Sequence, residues 1–414
     1  ISGGWVFTKE NFFPKDAFLS FGKLSTSWGQ TGNNQIGTYG SKALVTDSNY
    51  VFNGGIAPGF ITTSAPNPNL GWEVASSLNV GLDLGLFDNR LNVNMAYYKT
   101  NTKDLLLDVP VPQQTGYDNV LANIGEMENQ GWEFQVFGDG FKLGELGLGF
   151  NANFTSYENK VLALGPGQDR IATGRDQLFV TQIGHPIAEI YGYRVDGVFR
   201  TQEEIDAYPH LDGTLTGDLR AVDVNGDGEI NDDDKISKGT YAPDFTYGFG
   251  ANLDYKGFAL SFNFVGVEGR TLLDGDLSSL TEAGEGFALP TQYYFDNRYH
   301  PENNPDGFLG QPNFGNFSNS RKILRSSVTV DEGNGDYFRF RDVRLGYNVQ
   351  KNILDKLSLS GLQIYISGNN LFTSTKWRGW NPDGTSSNIL ESGYNTGGNY
   401  PIAKTYTVGL KISY

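Results

Sequence analysis

Residues 223–234, Asp-Val-Asn-Gly-Asp-Gly-Glu-Ile-Asn-Asp-Asp-Asp, put oxygen-bearing groups where a hard cation needs them. Side-chain oxygens fall at the first, third, fifth, ninth and twelfth places, on Asp223, Asn225, Asp227, Asn231 and Asp234. Glu229, at the seventh, offers its backbone carbonyl, and Gly228, at the sixth, allows the sharp turn. This is the spacing of an EF-hand Ca²⁺ loop, with Asp rather than Glu closing it. The chemistry expected is a structural calcium clip on a loop. The competing reading is an acidic turn whose Asp and Asn side chains cap backbone N–H groups and hold no ion.

A second set of candidates is aromatic. Trp377, Trp380, Tyr293 and Tyr394, with Tyr294 and Phe295 beside them, lie in segments rich in Asn, Asp and Gly. Such rings stack on sugar faces and so read as substrate-binding candidates. They suit equally well packing against a partner protein or a place at a membrane interface. Catalytic chemistry finds no footing: there is no nucleophile elbow, no phosphate-binding P-loop and no HExxH zinc motif. The chain has no Cys, and its three His residues, His185, His210 and His300, lack metal-ligand spacing. A net charge of -16 argues against a nucleic-acid partner, whose phosphates need clustered Lys and Arg.

The elements that must carry these residues show a period of two. Tyr406, Val408, Leu410, Ile412 and Tyr414 alternate with Thr407, Gly409, Lys411 and Ser413, a strand with one apolar face and one polar face. Leu78 to Leu86 repeats the pattern, turns at Asp88-Asn89-Arg90 and returns through Leu91 to Tyr97. Three more hairpins read from Trp132 to Phe154, from Phe249 to Phe264 across Asp254-Tyr255-Lys256-Gly257, and from Val343 to Ile366. Phe338 and Phe340 are out of phase with Val343, so a bulge is expected near Arg341. Tyr97 and Tyr98, near a strand end, read as an interfacial girdle. About eleven strands are expected, joined alternately by short turns and by long segments without periodicity near 158–240, 266–335 and 376–402. No apolar run is long enough for a transmembrane helix.

Short turns at one end and long loops at the other mark a transmembrane antiparallel β-barrel. An open eleven-stranded sheet would leave unpaired edges in hydrocarbon, and bacterial single-chain barrels have even strand numbers. Residues 1–414 are therefore expected to form the C-terminal half of a larger barrel, the first half and any plug lying outside this chain. Two other readings stay open: a passive porin or adhesin barrel, and a soluble calcium-dependent carbohydrate-binding module.

Ordered landmarks run the length of the chain. They include Gly29-Gln30-Thr31-Gly32-Asn33-Asn34-Gln35-Ile36-Gly37, Asn69-Leu70-Gly71-Trp72-Glu73, Leu105-Leu106-Leu107-Asp108-Val109-Pro110 and Asn123-Ile124-Gly125-Glu126-Met127-Glu128-Asn129-Gln130-Gly131. Pro243-Asp244-Phe245, Tyr337 to Tyr347 and Gly368-Asn369-Asn370-Leu371-Phe372-Thr373 follow. With these the chain resembles a SusC/RagA-type TonB-dependent outer-membrane transporter; Trp377 to Asp383 varies a family segment. The resemblance implies a 22-stranded, plugged barrel in the outer membrane of a Gram-negative bacterium. It also implies a SusD-like surface lipoprotein as lid, energy delivered through the TonB complex, and import of an oligosaccharide or a peptide.

Overall fold

The computed structural model describes residues 1–14, 18–34, 36–62, 65–117, 119–165, 167–275, 291–311, 323, 333–395 and 400–414. Eleven antiparallel strands follow one another across a single sheet. They are β1 (Ser2–Trp5), β2 (Leu19–Asn33), β3 (Glu73–Leu86), β4 (Leu91–Pro110), β5 (Asn119–Leu143) and β6 (Leu146–Ser156), then β7 (Phe245–Tyr255), β8 (Phe258–Glu268), β9 (Tyr337–Asn348), β10 (Gly361–Thr375) and β11 (Thr405–Ser413). The order across the sheet is the order along the chain, and Glu158–Ala163 adds a twelfth strand beside β5. No described helix is long and apolar enough to cross a membrane, which leaves crossing by strands untouched.

Register keeps the two faces chemically separate. On one face Leu24, Leu82, Met95, Phe134 and Phe154 pair across β2 to β6. Leu253, Leu260, Leu345, Ile366 and Val408 do the same across β7 to β11. The opposite face carries Asp83, Asn94, Gln135 and Asn153, then Asn252, Ser261, Arg344, Ser367 and Thr407. Because side chains alternate, a slip of one residue would exchange the two faces throughout a strand. The apolar face is left uncovered: Ile366 is 53% exposed and Val408 79%. Phenylalanines reinforce it across strands, with Phe264 stacked on Phe340 at 4.5 Å between centroids.

The expected hairpins are present, with turns chosen by backbone sterics. Lys256 (φ 47°) and Gly257 (φ 91°) form a two-residue turn with both φ positive. The strand before it runs through Tyr255, so the turn is tighter than the Asp254–Gly257 span read from the sequence. The bulge near Arg341 is also present: Phe264 pairs with Phe340 and Asn263 with Asp342, leaving Arg341 extra.

Two sequence expectations are corrected. Tyr97 and Tyr98 cannot share a girdle, since neighbours point to opposite faces; Tyr97 meets Trp132 on the apolar face, while Tyr98 lies over Gly131 on the polar one. The long segments are not structureless either. Within 158–240, strands Arg170–Thr173, Phe179–Gln182, Glu189–Tyr193 and Lys235–Ser237 make a small sheet, Val195–Val198 pairs with Leu219–Ala221, and Gln202–Ala207 is a helix. These pieces lack visible periodicity because each is too short to show one. Much of 266–335, and 396–399, lies outside the described residues.

Together with 291–311 and 376–395 the short elements make a cap at the end of the sheet where the long connections lie. Three apolar clusters hold it. One joins Tyr193, Val198, Leu219, Ile230, Tyr294 and Leu309; a second joins Leu105, Leu107, Met127, Val161 and Leu390; a third joins Phe179, Ile190 and Leu273. A hairpin between β2 and β3, Val45–Phe52 with Gly55–Thr62, stands apart from all of this; Phe52 and Phe60 are 71% and 79% exposed.

The two-faced sheet predicts asymmetric tolerance to charge. In the membrane-inserted protein Leu82→Arg should cost about 2 kcal/mol or more, whereas Asn94→Arg on the polar face should cost little. Urea midpoints of the folded band in lipid vesicles will distinguish the two.

Candidate functional site

Two regions of this fold can meet a ligand: the polar face of the sheet and the cap above its end. The polar face bears a groove of about 800 Å³ lined by Lys23, Asp83, Asn94, Glu133, Gln135 and Asn153. Its side chains are tied across strands, Asn94 donating to Asp83 at 2.8 Å and Lys23 standing 3.8 Å from the same carboxylate. Such a surface offers amides and hydroxyls to a polar ligand, together with the charges of Lys23, Asp83 and Glu133.

Where the polar face meets the cap, four of the sequence landmarks converge. A break in register between β4 and β5 near Leu105 takes the Leu106 N–H out of the ladder, and Glu73 accepts it at 2.9 Å. The other Glu73 oxygen accepts from Asn33 at 2.7 Å. Asn123 accepts from the Gly71 N–H and donates to its carbonyl, at 2.7 and 3.0 Å. Trp72 lies across Gly32, so closely that a Cβ there would come within 2.8 Å of its ring. The motifs thus build one rim staple, at the foot of the free-standing 45–62 hairpin. The sequence showed these residues as landmarks without revealing that they touch.

The aromatic candidates separate by burial. Trp377 is 8% exposed and packed away. Tyr394 packs against the third cluster and meets Phe179 edge-on at 6.2 Å. Tyr293 is half-buried, with the Arg378 guanidinium 4.6 Å above its ring. Trp380 is 73% exposed. The structure therefore leaves Trp380, with the edge of Tyr293, available to a ligand, and gives Trp377 and Tyr394 packing roles.

The acidic loop is folded tightly onto the cap. Asp223 accepts from the N–H groups of Gly226 and Gly228, at 2.6 and 2.9 Å. Asp234, wholly buried, accepts from Val224 and Asn231, at 2.8 and 2.9 Å. Asn225 and Asp227 accept from Asp227 and Glu229 N–H groups, each at 2.9 Å, and Asn231 from Asp233 at 2.8 Å. Gly228 holds φ 87°, as the sixth place of such a loop requires. Among the described residues no three His, Cys, Asp or Glu side chains group as a metal cluster, so a cation here would depend on the Asn225 and Asn231 amides and the Glu229 carbonyl as well. Behind the loop, Lys235 is buried with its Nζ 3.1 Å from Asp232, and Tyr193 donates to Asp232 at 3.3 Å. Burial, then the Asp232 charge, pushes the Tyr193 phenol up; burial raises Tyr294 to about 12.

Sequence reasoning missed a partly buried ionic joint. Asp383, between β10 and β11, receives Arg339 Nη1 at 2.9 Å and Arg270 Nη1 at 3.4 Å. The only signal was that Asp383 closes the segment in which the chain varies its family pattern.

A family model described as "TonB dependent receptor-like, beta-barrel" matches residues 4–371. The chain belongs to that family. It is an antiparallel transmembrane barrel protein of the outer membrane, in a family of transporters rather than enzymes. The apolar face of the sheet is accordingly the lipid face and the polar face the lumen wall. TonB-dependent receptor P26 of Formosa agariphila is 31% identical across 100% of this chain, and TonB-dependent receptor SusC of Bacteroides thetaiotaomicron 25% across 99%. The chain spans 42% and 39% of their respective lengths. The structure of the RagAB peptide transporter superposes over 100% of the chain and 43% of its own with a TM-score of 0.78, at 24% identity, which speaks to the fold.

Removing the Glu73 carboxylate tests the rim staple. Glu73→Ala should release about 1.5–3 kcal/mol of protection at the Leu106 amide, a roughly ten- to hundredfold faster hydrogen exchange, with the lumen-wall amides of β3 unchanged.

Proposed function

We propose that this chain is the barrel wall and surface cap of a TonB-energised importer, taking an oligosaccharide or a peptide across the outer membrane beneath a SusD-like surface lipoprotein. Family membership joined to a lumen wall rich in amides and hydroxyls carries the reading, because such a wall suits a polar cargo. The cap end faces the outside of the cell, and Trp380 with Tyr293 meets the cargo there. An exposed indole at the surface of the cap is well suited to stack on a sugar ring or a peptide plane. RagAB is a peptide transporter; for the present chain, glycan and peptide are separated by experiment.

Deleting the gene for the full receptor should abolish growth on either scarce oligosaccharide or scarce peptide, and the class lost names the cargo. Growth unchanged on both would overturn the import reading. In the intact receptor, Trp380→Ala should weaken cargo binding about tenfold, corresponding to about 1.4 kcal/mol, in calorimetry with the class so identified.

We also propose that residues 223–234 hold Ca²⁺ as a structural clip. The donors fit: after their N–H bonds the carboxylate and amide oxygens of Asp223, Asn225, Asp227, Asn231 and Asp234 keep lone pairs, and Glu229 adds its carbonyl. The ion would add positive charge to an acidic run that Lys235 meets at Asp232. Terbium luminescence should report a site that Asp234→Asn weakens at least tenfold, and chelation should speed proteolysis within 218–240 while the barrel stays folded. Equal cleavage with and without chelator would instead identify an ion-free acidic turn.

A further inference from the structure

The loop between β10 and β11 has two characters. Its far part is buried in the cap: Leu390 belongs to the second apolar cluster and Tyr394 packs on the third. Its near part, Lys376 to Trp380, is exposed apart from Trp377 and carries the only fully presented indole among the proposed cargo contacts. Asp383 lies between them, and the wall grips the loop at that residue. Arg339 projects from the lumen face of β9, where its neighbours across the ladder are Val265 and Thr373. Its Nη1 meets Asp383 Oδ2 at 2.9 Å, and its Nε donates to Thr373 Oγ1 on β10 at 3.1 Å. Arg270, just past the end of β8, reaches Asp383 Oδ1 at 3.4 Å.

Both guanidiniums are held from behind. Arg339 lies 4.5 Å over Tyr337 and Arg270 4.6 Å over Tyr241, while the Tyr241 hydroxyl donates to the Asp383 carbonyl at 3.3 Å. The Arg270 backbone N–H donates to Asp336 Oδ1 at 2.9 Å and so fixes the residue that carries the second guanidinium. Side-chain exposure is 9% for Arg339 and 11% for Arg270, against 34% for Asp383. Two nearly buried cations converging on one partly solvated carboxylate make a directional joint: withdrawing the carboxylate strands both cations, which few loop conformations can tolerate.

From this geometry we infer that Asp383 is the positioning residue of the import site, an ionic latch that ties the Trp380 segment to the barrel wall and so fixes where the indole is presented. The inference rests on the proposed cargo role of Trp380. Asp383 itself touches no cargo; it acts through the loop. Asn381 and Asn395 extend the hold, Asn381 Oδ1 accepting from the Asp383 N–H at 3.0 Å and Asn395 donating to the Asn381 carbonyl at 2.9 Å. The latch therefore ties the 381–383 stretch to Asn395 as well as to the wall.

The chain supplies its own reporter. Lys376 and Arg378, both in the segment that precedes Asp383, are exposed trypsin sites. In the full-length receptor in detergent, Asp383→Asn should raise cleavage after Lys376 and Arg378 at least tenfold, and Asp383→Glu should restore it towards wild type. Arg270→Gln, beyond the end of β8, should give an intermediate rate with the barrel folded, shown by its heat-modifiable gel mobility. Asp383→Asn should also raise the cargo dissociation constant about as far as Trp380→Ala does, with maximal transport retained. Wild-type cleavage in both Asp383→Asn and Arg270→Gln overturns the latch. Fast cleavage in Asp383→Asn with cargo affinity unchanged in Trp380→Ala leaves the latch standing and removes the cargo role of Trp380.

Discussion

One antiparallel ladder, with a different solvent on each side, governs the rest of this protein. Hydrocarbon cannot hydrogen-bond a backbone amide, so the wall must satisfy its N–H and C=O groups between strands. The ladder does so from β1 to β11, and strict alternation then decides everything a side chain can be. Leu, Val, Ile and Phe are free to stand uncovered on one face, where a water-soluble protein would have to bury them. Asn, Ser, Thr and Gly recur on the other, among charged groups such as Asp83 and Arg344 and the rings of Tyr98 and Tyr365. Glycines on this face are often overlain by a neighbour's ring, as Gly409 is by Tyr365 and Gly131 by Tyr98.

The wall gives its apolar residues to lipid, so it has no interior of its own to organise the cap. The cap answers with three small clusters, and the strand extensions join them: Leu105 and Leu107 of β4 and Met127 of β5 belong to the same cluster as Leu390 of the last long loop. Polar bonds then set orientation. Glu73 and Asn123 secure the rim at one side and Asp383 secures the last loop at the other. Cap and wall are consequently one body at these points, which is what a site presented at a barrel mouth requires.

How much of this the sequence revealed follows from element length. Strands of eleven residues or more expose their period, so the hairpins, the two faces and the bulge at Arg341 were legible from residue order alone. The cap strands are too short for a period to emerge, and some of their sheet partners lie far away in sequence; Glu189–Tyr193 pairs with Lys235–Ser237 across the helix Gln202–Ala207. The acidic loop was visible because its donors are local. The Glu73 staple and the Asp383 latch were not, because each joins residues more than thirty positions apart through a single carboxylate. Burial also had to be seen to be known: nothing in composition separates Trp377 from Trp380, three residues on.

Chain order equals sheet order, and that bears on how the molecule assembles. Three of the neighbouring pairs, β3 with β4, β5 with β6 and β7 with β8, can zip up locally after a turn of two to four residues, a fast process. Between β6 and β7 the chain makes a detour through residues 157–244 before the ladder resumes. Closing that gap costs about 3 kcal/mol more in chain entropy than closing a two-residue turn, unless the detour is already compact. The short sheet within 170–237 shortens the effective loop, while Leu273, Tyr294, Leu309 and Leu390, which complete its apolar clusters, come later in the chain, so the folding of the detour is tied to that of the second half of the wall.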